Sequence, residues 1–282
     1  MSNADFPAAP LPTEPDPLVD AAGTLHLPAG EEARIVSLIP SLTELLFDLG
    51  LAERVVGRTA FCVHPAGRIK AVRSVGGTKT VNMAKLRQAA PTHILVNIDE
   101  TPRALAEELT AEGYTVVVTH PVEVADNLAL YRLLGGIFGA GPAAAALCAR
   151  FERAYAAAVG EAEGRPRCRA LYLIWCDPWM TVTPETYVSK MLALAGWDTR
   201  PAAADRRYPE VVLDETTLSG VERVLFASEP FPFSERHLAA FREAHPRHAD
   251  KALAIDAEMV SWYGSRAVAG LAYLADFCRR HG

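Results

Sequence analysis

The sequence predicts an α/β fold of two lobes, each built on a parallel sheet, with one long helix between them. Three observations carry this. Short apolar runs, each followed by a helical stretch, recur in both halves of the chain, and strands that alternate with helices pair in parallel because a parallel neighbour needs a crossover. An alanine-rich stretch opened by Pro142 separates the two sets. The 282 residues are 50% hydrophobic and 22% charged, enough apolar material to fill a core in each lobe.

The first strand is expected at 34–38 (RIVSL). Pro40 then opens an apolar helix that Gly50 ends, and Ser41 with Glu44 three residues later reads as a capping box. Further strands are expected at 54–58, 93–97 and 115–119, with helices at 83–89 and 102–112, the second closed by Gly113. A helix at 127–138 ends at Gly139-Ala140-Gly141. The stretch 142–163 combines Pro at the first helical position with many alanines, both helix-favouring. Some twenty residues at 1.5 Å each span roughly 30 Å, the width of a small domain. Strands resume at 169–174, 223–227 and 252–255, and a helix at 265–279 closes the chain. The organisation that follows is a flexible leader over 1–33, a first lobe over 34–141, a connecting helix over 142–163 and a second lobe over 164–282.

The formal net charge of -6 argues against a nucleic-acid partner, whose phosphates call for a cationic face. No apolar run approaches the roughly 20 residues that cross a bilayer. The five cysteines are scattered and form no C-x-x-C pair, so reduced thiols are expected rather than a zinc ribbon or a redox site. The first thirty residues carry acids and prolines but neither a basic region nor an apolar core, so no signal peptide is read and a cytoplasmic protein is expected. Ser2-Asn3-Ala4 resembles a cloning remnant, and periplasmic is then the alternative. A monomer is expected.

Ligands of open parallel sheets bind beyond the carboxyl ends of the strands, so the residues just after each strand are the candidates. Trp175, Trp179 and Trp262 all fall in such loops. They offer flat faces to a flat ligand, although packing accounts equally well for any one of them. Cys62 and His64 could share a metal ion if His93, His120 or Glu229 joined them; His64 as a ligand contact, or as an ordinary loop histidine, stays open. Gly76-Gly77-Thr78-Lys79 lacks the phosphate-loop spacing and reads as a tight turn, or as a cleft loop whose Lys79 meets an anion. Ser41 sits in no nucleophile elbow. Asp99, Glu100 and Asp177 could serve as acid–base carboxylates, although a solvated or ligand-contacting role is the plainer reading. An enzyme reading would rest on His64, Asp177 and Glu229, and a bare-metal reading on His64 with nearby carboxylates.

The segment RIVSLIPSLTELLFDLGLAERVVGRT, the block VGGTKTVNMAKLRQAAPTHILVN and the stretch RALYLIWCDPWMTVTPETYVSKMLALAGW resemble the cobalamin-binding and iron-siderophore-binding periplasmic proteins of ABC importers. The likeness runs over about 34–278. It implies two Rossmann-like lobes joined by a long backbone helix, the class III periplasmic-binding-protein arrangement of the helical-backbone metal receptors. It also implies a solute-binding protein rather than an enzyme, with no built-in cofactor and an importer permease as partner. The ligand would be a corrinoid (cobalamin-like) or another metal chelate held between the lobes. The cleft positions it implies are Pro40, Phe61, Lys79, Asn97, Trp175, Trp179, Tyr208 and Trp262. His64, Asp177, Glu229 and Tyr263 join them from the loop reading. Thr78 and Lys79 stand where a cobalamin binder carries a large aromatic. Importer docking normally uses a glutamate on each lobe; Asp214 and Glu215 supply one in the second lobe, whereas the first has Ala84 and Lys85.

Overall fold

The computed structural model describes residues 18–282. The first lobe runs β1 (Ile35–Ser37), α1 (Pro40–Asp48), β2 (Val55–Arg58), α2 (Met83–Ala89), β3 (His93–Asn97), α3 (Arg103–Ala111) and β4 (Thr115–Thr119). Its strands lie in the order β2-β1-β3-β4, all parallel. Two helices follow, α4 (Asp126–Ile137) and α5 (Gly141–Ala162), the latter with proline in its first turn. The second lobe runs β5 (Cys168–Leu173), α6 (Tyr187–Leu194), β6 (Trp197–Thr199), α7 (Glu215–Ser219), β7 (Arg223–Ala227), α8 (Glu235–Ala244), β8 (Ala252–Ile255), α9 (Ala257–Ser261) and α10 (Arg266–His281). Its order, β6-β5-β7-β8, repeats that of the first sheet, again all parallel.

Strand alternation sorts the apolar side chains onto two faces. On β5, Ala170 and Tyr172 face inward, while Leu171 and Leu173 join an outer cluster with Phe226 and Phe241. Val36, Ile94 and Val96 do the same in the first lobe. The inward faces share one core, which passes from Ile35 and Leu95 through Tyr131 on α4 and Phe151 on α5 to Leu271 on α10 and Tyr172. The lobes are therefore joined by packed apolar surface and not only by chain. A wide opening would expose side chains that are now fully buried, at roughly 25 cal/mol per Å2.

Two expectations need correction. Ser41 and Glu44 form no capping box: the helix starts two residues earlier, with Ile39 at the N-cap and Pro40 inside the first turn. Proline fixes the helical φ and has no N–H to satisfy, so the start needs no side-chain cap. The leader over 1–33 is the second. Residues 1–17 lie outside the described residues, but 18–33 are bound to the first lobe. Buried Asp20 accepts hydrogen bonds from the N–H groups of Ala22, Thr24 and Val118, at 2.9 Å each, and pairs with buried His26 at 3.0 Å. Ala21 donates to the Val118 carbonyl at 2.9 Å. This strap covers the exposed edge of β4, which would otherwise present unpaired backbone groups. One buried carboxylate organises it, and composition gives no sign of that. Among the described residues, no helix is long and apolar enough to cross a membrane.

Candidate functional site: the cleft between the lobes

A cavity of ≈ 720 Å3 opens between the carboxyl ends of the two sheets. The first lobe lines it with Pro40, Phe61, Lys79, Asn97, Asp99 and Glu100, and the second with Tyr172, Tyr187, Tyr208, Glu229, Glu258, Trp262 and Tyr263.

The first wall is made of loops. Phe61 follows β2 and is 63% exposed. Its neighbour Cys62 is buried below it, with the Thr43 hydroxyl 3.1 Å and the Thr59 hydroxyl 3.2 Å from Sγ. Burial pushes the Cys62 thiol up, and its two hydroxyl contacts fasten the loop from beneath. Lys79 rides a turn closed by pairing of Gly76 with Val81. Gly76 has φ 118°, and a Cβ there would lie 2.7 Å from the Thr80 carbonyl oxygen, so only glycine fits. Asn97 ends β3, and its Oδ1 accepts the Asp99 N–H at 2.8 Å.

The second wall is more tightly held. The Trp262 indole N–H donates to Glu229 Oε1 at 2.5 Å, and the Arg266 guanidinium lies over the indole, 4.9 Å from its centroid. Arg266 grips Glu44 of the first lobe through two hydrogen bonds of 2.7 Å and reaches Glu258 at 3.2 Å. Two further links cross between the lobes. The Tyr263 hydroxyl donates to Glu100 Oε1 at 3.0 Å, and Arg207 donates to Asp99. Gly264, at φ 87°, gives its N–H to Asn127 Oδ1 at 2.7 Å, and its carbonyl accepts the Tyr131 hydroxyl at 2.8 Å.

Burial disfavours charge in this cleft. Desolvation lifts the Glu100 carboxyl to about 7; the charges of Glu229 and Asp99 add to the rise, and the bond from Tyr263 opposes it. Burial also raises Glu229, against the indole donation. Tyr172 and Tyr263 are pushed well above the ordinary tyrosine range by desolvation, so both remain neutral phenols.

Of the sequence-predicted residues, the structure places Pro40, Phe61, Lys79, Asn97, Tyr208, Glu229, Trp262 and Tyr263 on the cavity wall. Four others lie elsewhere. Trp175 is 41% exposed and packs edge-on against Phe231. Asp177 has φ 66° at the tip of a turn whose flanks, Trp175 and Met180, pair. That turn carries Trp179 away to stack on Phe233 at 5.9 Å. The His64 ring bonds to Glu258 at 2.8 Å and packs against Trp262, supporting the wall rather than forming it. The set His64, Asp177 and Glu229 is thus not gathered for catalysis. Among the described residues, no three His, Cys, Asp or Glu side chains are grouped to hold a metal ion. Sequence reasoning missed Tyr172 and Tyr187, which look like ordinary members of apolar runs, and Arg207 and Arg266, whose partners are 108 and 222 residues away. At the predicted docking positions, Asp214 caps α7, Glu215 bonds to His248 at 3.2 Å, and Ala84 and Lys85 are exposed on α2.

The family model for periplasmic binding proteins matches residues 35–228. The chain belongs to the periplasmic binding protein family. Membership makes it a binding protein rather than an enzyme and corrects the cytoplasmic expectation: a family of periplasmic binding proteins points to a periplasmic or extracellular location. The chain is 28% identical over 100 residues to the vitamin B12-binding proteins of Yersinia pestis and Yersinia pseudotuberculosis, over 36% of this chain and 35% of theirs. It therefore matches about a third of the length of those relatives. In structure it is similar to the periplasmic vitamin B12-binding protein of Vibrio cholerae, with a TM-score of 0.77, 17% identity and coverage of 88% of this chain and 97% of that one. It is also similar to a periplasmic heme-binding protein from Roseiflexus sp. RS-1, with a TM-score of 0.76, 21% identity and coverage of 89% and 99%. The second pair of likenesses shows the fold: two parallel α/β lobes joined by a long helix.

Proposed function

We propose that this periplasmic binding protein holds a planar metal chelate, a corrinoid foremost, between its lobes, and passes it on unchanged. The observation that carries the reading is the ≈ 720 Å3 interlobe cavity with Trp262, Tyr263, Tyr208 and Tyr172 on one wall and Phe61 on the other. A cavity of this size and aromatic lining suits a ligand far larger than an amino acid. The vitamin B12-binding relatives by sequence and the vitamin B12- and heme-binding neighbours by fold point to the same ligand class. An importer permease is the partner that goes with this role. Its contact on the second lobe would be Glu215 more than Asp214, because Asp214 is committed to capping α7.

The test is a titration of purified protein with hydroxocobalamin, following tryptophan fluorescence and the visible spectrum together. Saturable quenching at micromolar ligand or below is the expected result, since Trp262 lines the cavity. Absence of quenching by hydroxocobalamin, with saturable binding of hemin, would replace the corrinoid with a porphyrin and leave the cleft in place.

A further inference from the structure

One group in the cleft has no part in the architecture just described. Tyr172, at the end of β5, lines the cavity and is only 1% exposed, yet its hydroxyl has no hydrogen-bond partner among the described residues. A buried hydroxyl without a partner is costly, and one on a residue that lines a ligand cavity is satisfied when a ligand brings the acceptor. Glu229 lines the same cavity. It spends Oε1 on the Trp262 indole, leaving Oε2 without a protein partner among the described residues.

We propose that Tyr172 and Glu229 form a carboxamide-reading subsite at the second-lobe wall of the cleft. The Tyr172 O–H donates to the amide carbonyl of the ligand, and Glu229 Oε2 accepts from the amide N–H. A primary amide offers one acceptor and one donor, complementary in kind to a phenol O–H and a carboxylate oxygen. A ligand carboxylate offers two acceptors and no donor, and it would set a further negative charge beside Glu229 and Glu258. The lining cation nearest to offsetting this, Lys79, is on the opposite wall and exposed. The inference rests on the chelate reading of the cleft and sharpens it: chelates with amide side arms are favoured over those with carboxylate arms.

The experiment compares two corrinoids with the same ring, dicyanocobinamide with amide arms and dicyanocobyrinic acid with carboxylate arms. Each is titrated into the wild-type protein and into the Tyr172→Phe and Glu229→Gln variants. The expected result is that wild type prefers the amide form by about tenfold or more, the worth of one unmatched buried polar group. Tyr172→Phe weakens amide binding by about that factor while its Tm stays level or rises, because the hydroxyl lost had no protein partner. Glu229→Gln gains affinity for the carboxylate form. Equal affinities in wild type, or a preference unchanged in both variants, would overturn the subsite and leave the corrinoid reading intact. Failure of both corrinoids to bind folded wild-type protein would remove the corrinoid reading and the subsite with it.

Discussion

The two walls of the cleft have the same origin, loops at the carboxyl ends of parallel strands, yet they are built in opposite ways. On the second lobe, Trp262 and Tyr263 are each 7% exposed and each is tied by its polar tip to a glutamate. On the first, Phe61 stands 63% exposed on a loop anchored only from beneath, and Lys79 sits on an open turn. A wall already held in place loses little conformational freedom on binding, whereas an exposed one must be ordered by the ligand. On the proposed binding role, the second lobe would be the preorganised template and the first the part that adapts.

The largest effect is expected where the two lobes grip each other. The side chains of Arg266 and Glu44 are only 11% and 16% exposed. Arg266→Ala would strand the charges of Glu44 and Glu258, at a cost of about 3–5 kcal/mol, read as a lower urea midpoint. An unchanged midpoint would show that the second wall does not need this clamp. Next comes the contrast between aromatics. Trp262→Ala removes a buried ring and should cost about 3 kcal/mol of stability as well as most of the ligand affinity. Phe61→Ala should leave stability within about 0.5 kcal/mol, as exposed positions do, while still weakening binding. Equal stability losses would erase the difference between template and adaptable wall.

Glu100 joins the walls through Tyr263, and its effect depends on pH. Its carboxyl titrates near 7 in the folded protein against an ordinary 4.5, so as pH rises the unfolded chain gives up this proton first. Stability from this group is complete below about pH 4.5, falls as pH rises towards 7, and is flat beyond. Glu100→Gln should remove that slope, so urea midpoints at pH 5 and pH 8 should differ less than in wild type. The smallest effect is expected at Trp175, which lies off the cavity wall: Trp175→Ala should change affinity by less than about threefold. A large loss there would mean that the adaptable side of the cleft extends onto the rim of the second lobe.

The lobe architecture was legible because apolar runs and helical stretches alternate locally, and the strands at 93–97, 115–119, 223–227 and 252–255 match β3, β4, β7 and β8 residue for residue. The edge strand β6 was not, since Trp197-Asp198-Thr199 is short and has a charged centre. The helices α6 and α8 went unread although each has a start signal, the Thr186 cap and the Ser234–His237 capping box. Loop position likewise led to Trp262 and Tyr263, because aromatics after a strand end stand out. The same rule pointed to Trp175 and Trp179, which lie off the cavity wall. A turn with Asp177 in the left-handed region reverses the chain there, and a phenylalanine cluster offers Trp179 a drier place than the cavity.

The sequence by itself determined the class of fold, the two lobes and the strand ends from which a site could be built, because periodicity and helix signals act over a few residues. Only the tertiary structure decided which side chains share the cavity, because the Arg266–Glu44, Tyr263–Glu100 and Arg207–Asp99 contacts join residues more than a hundred positions apart. The unpartnered hydroxyl of Tyr172 belongs to that second class: a tyrosine in an apolar strand looks satisfied until every neighbour that might have bonded it is in place.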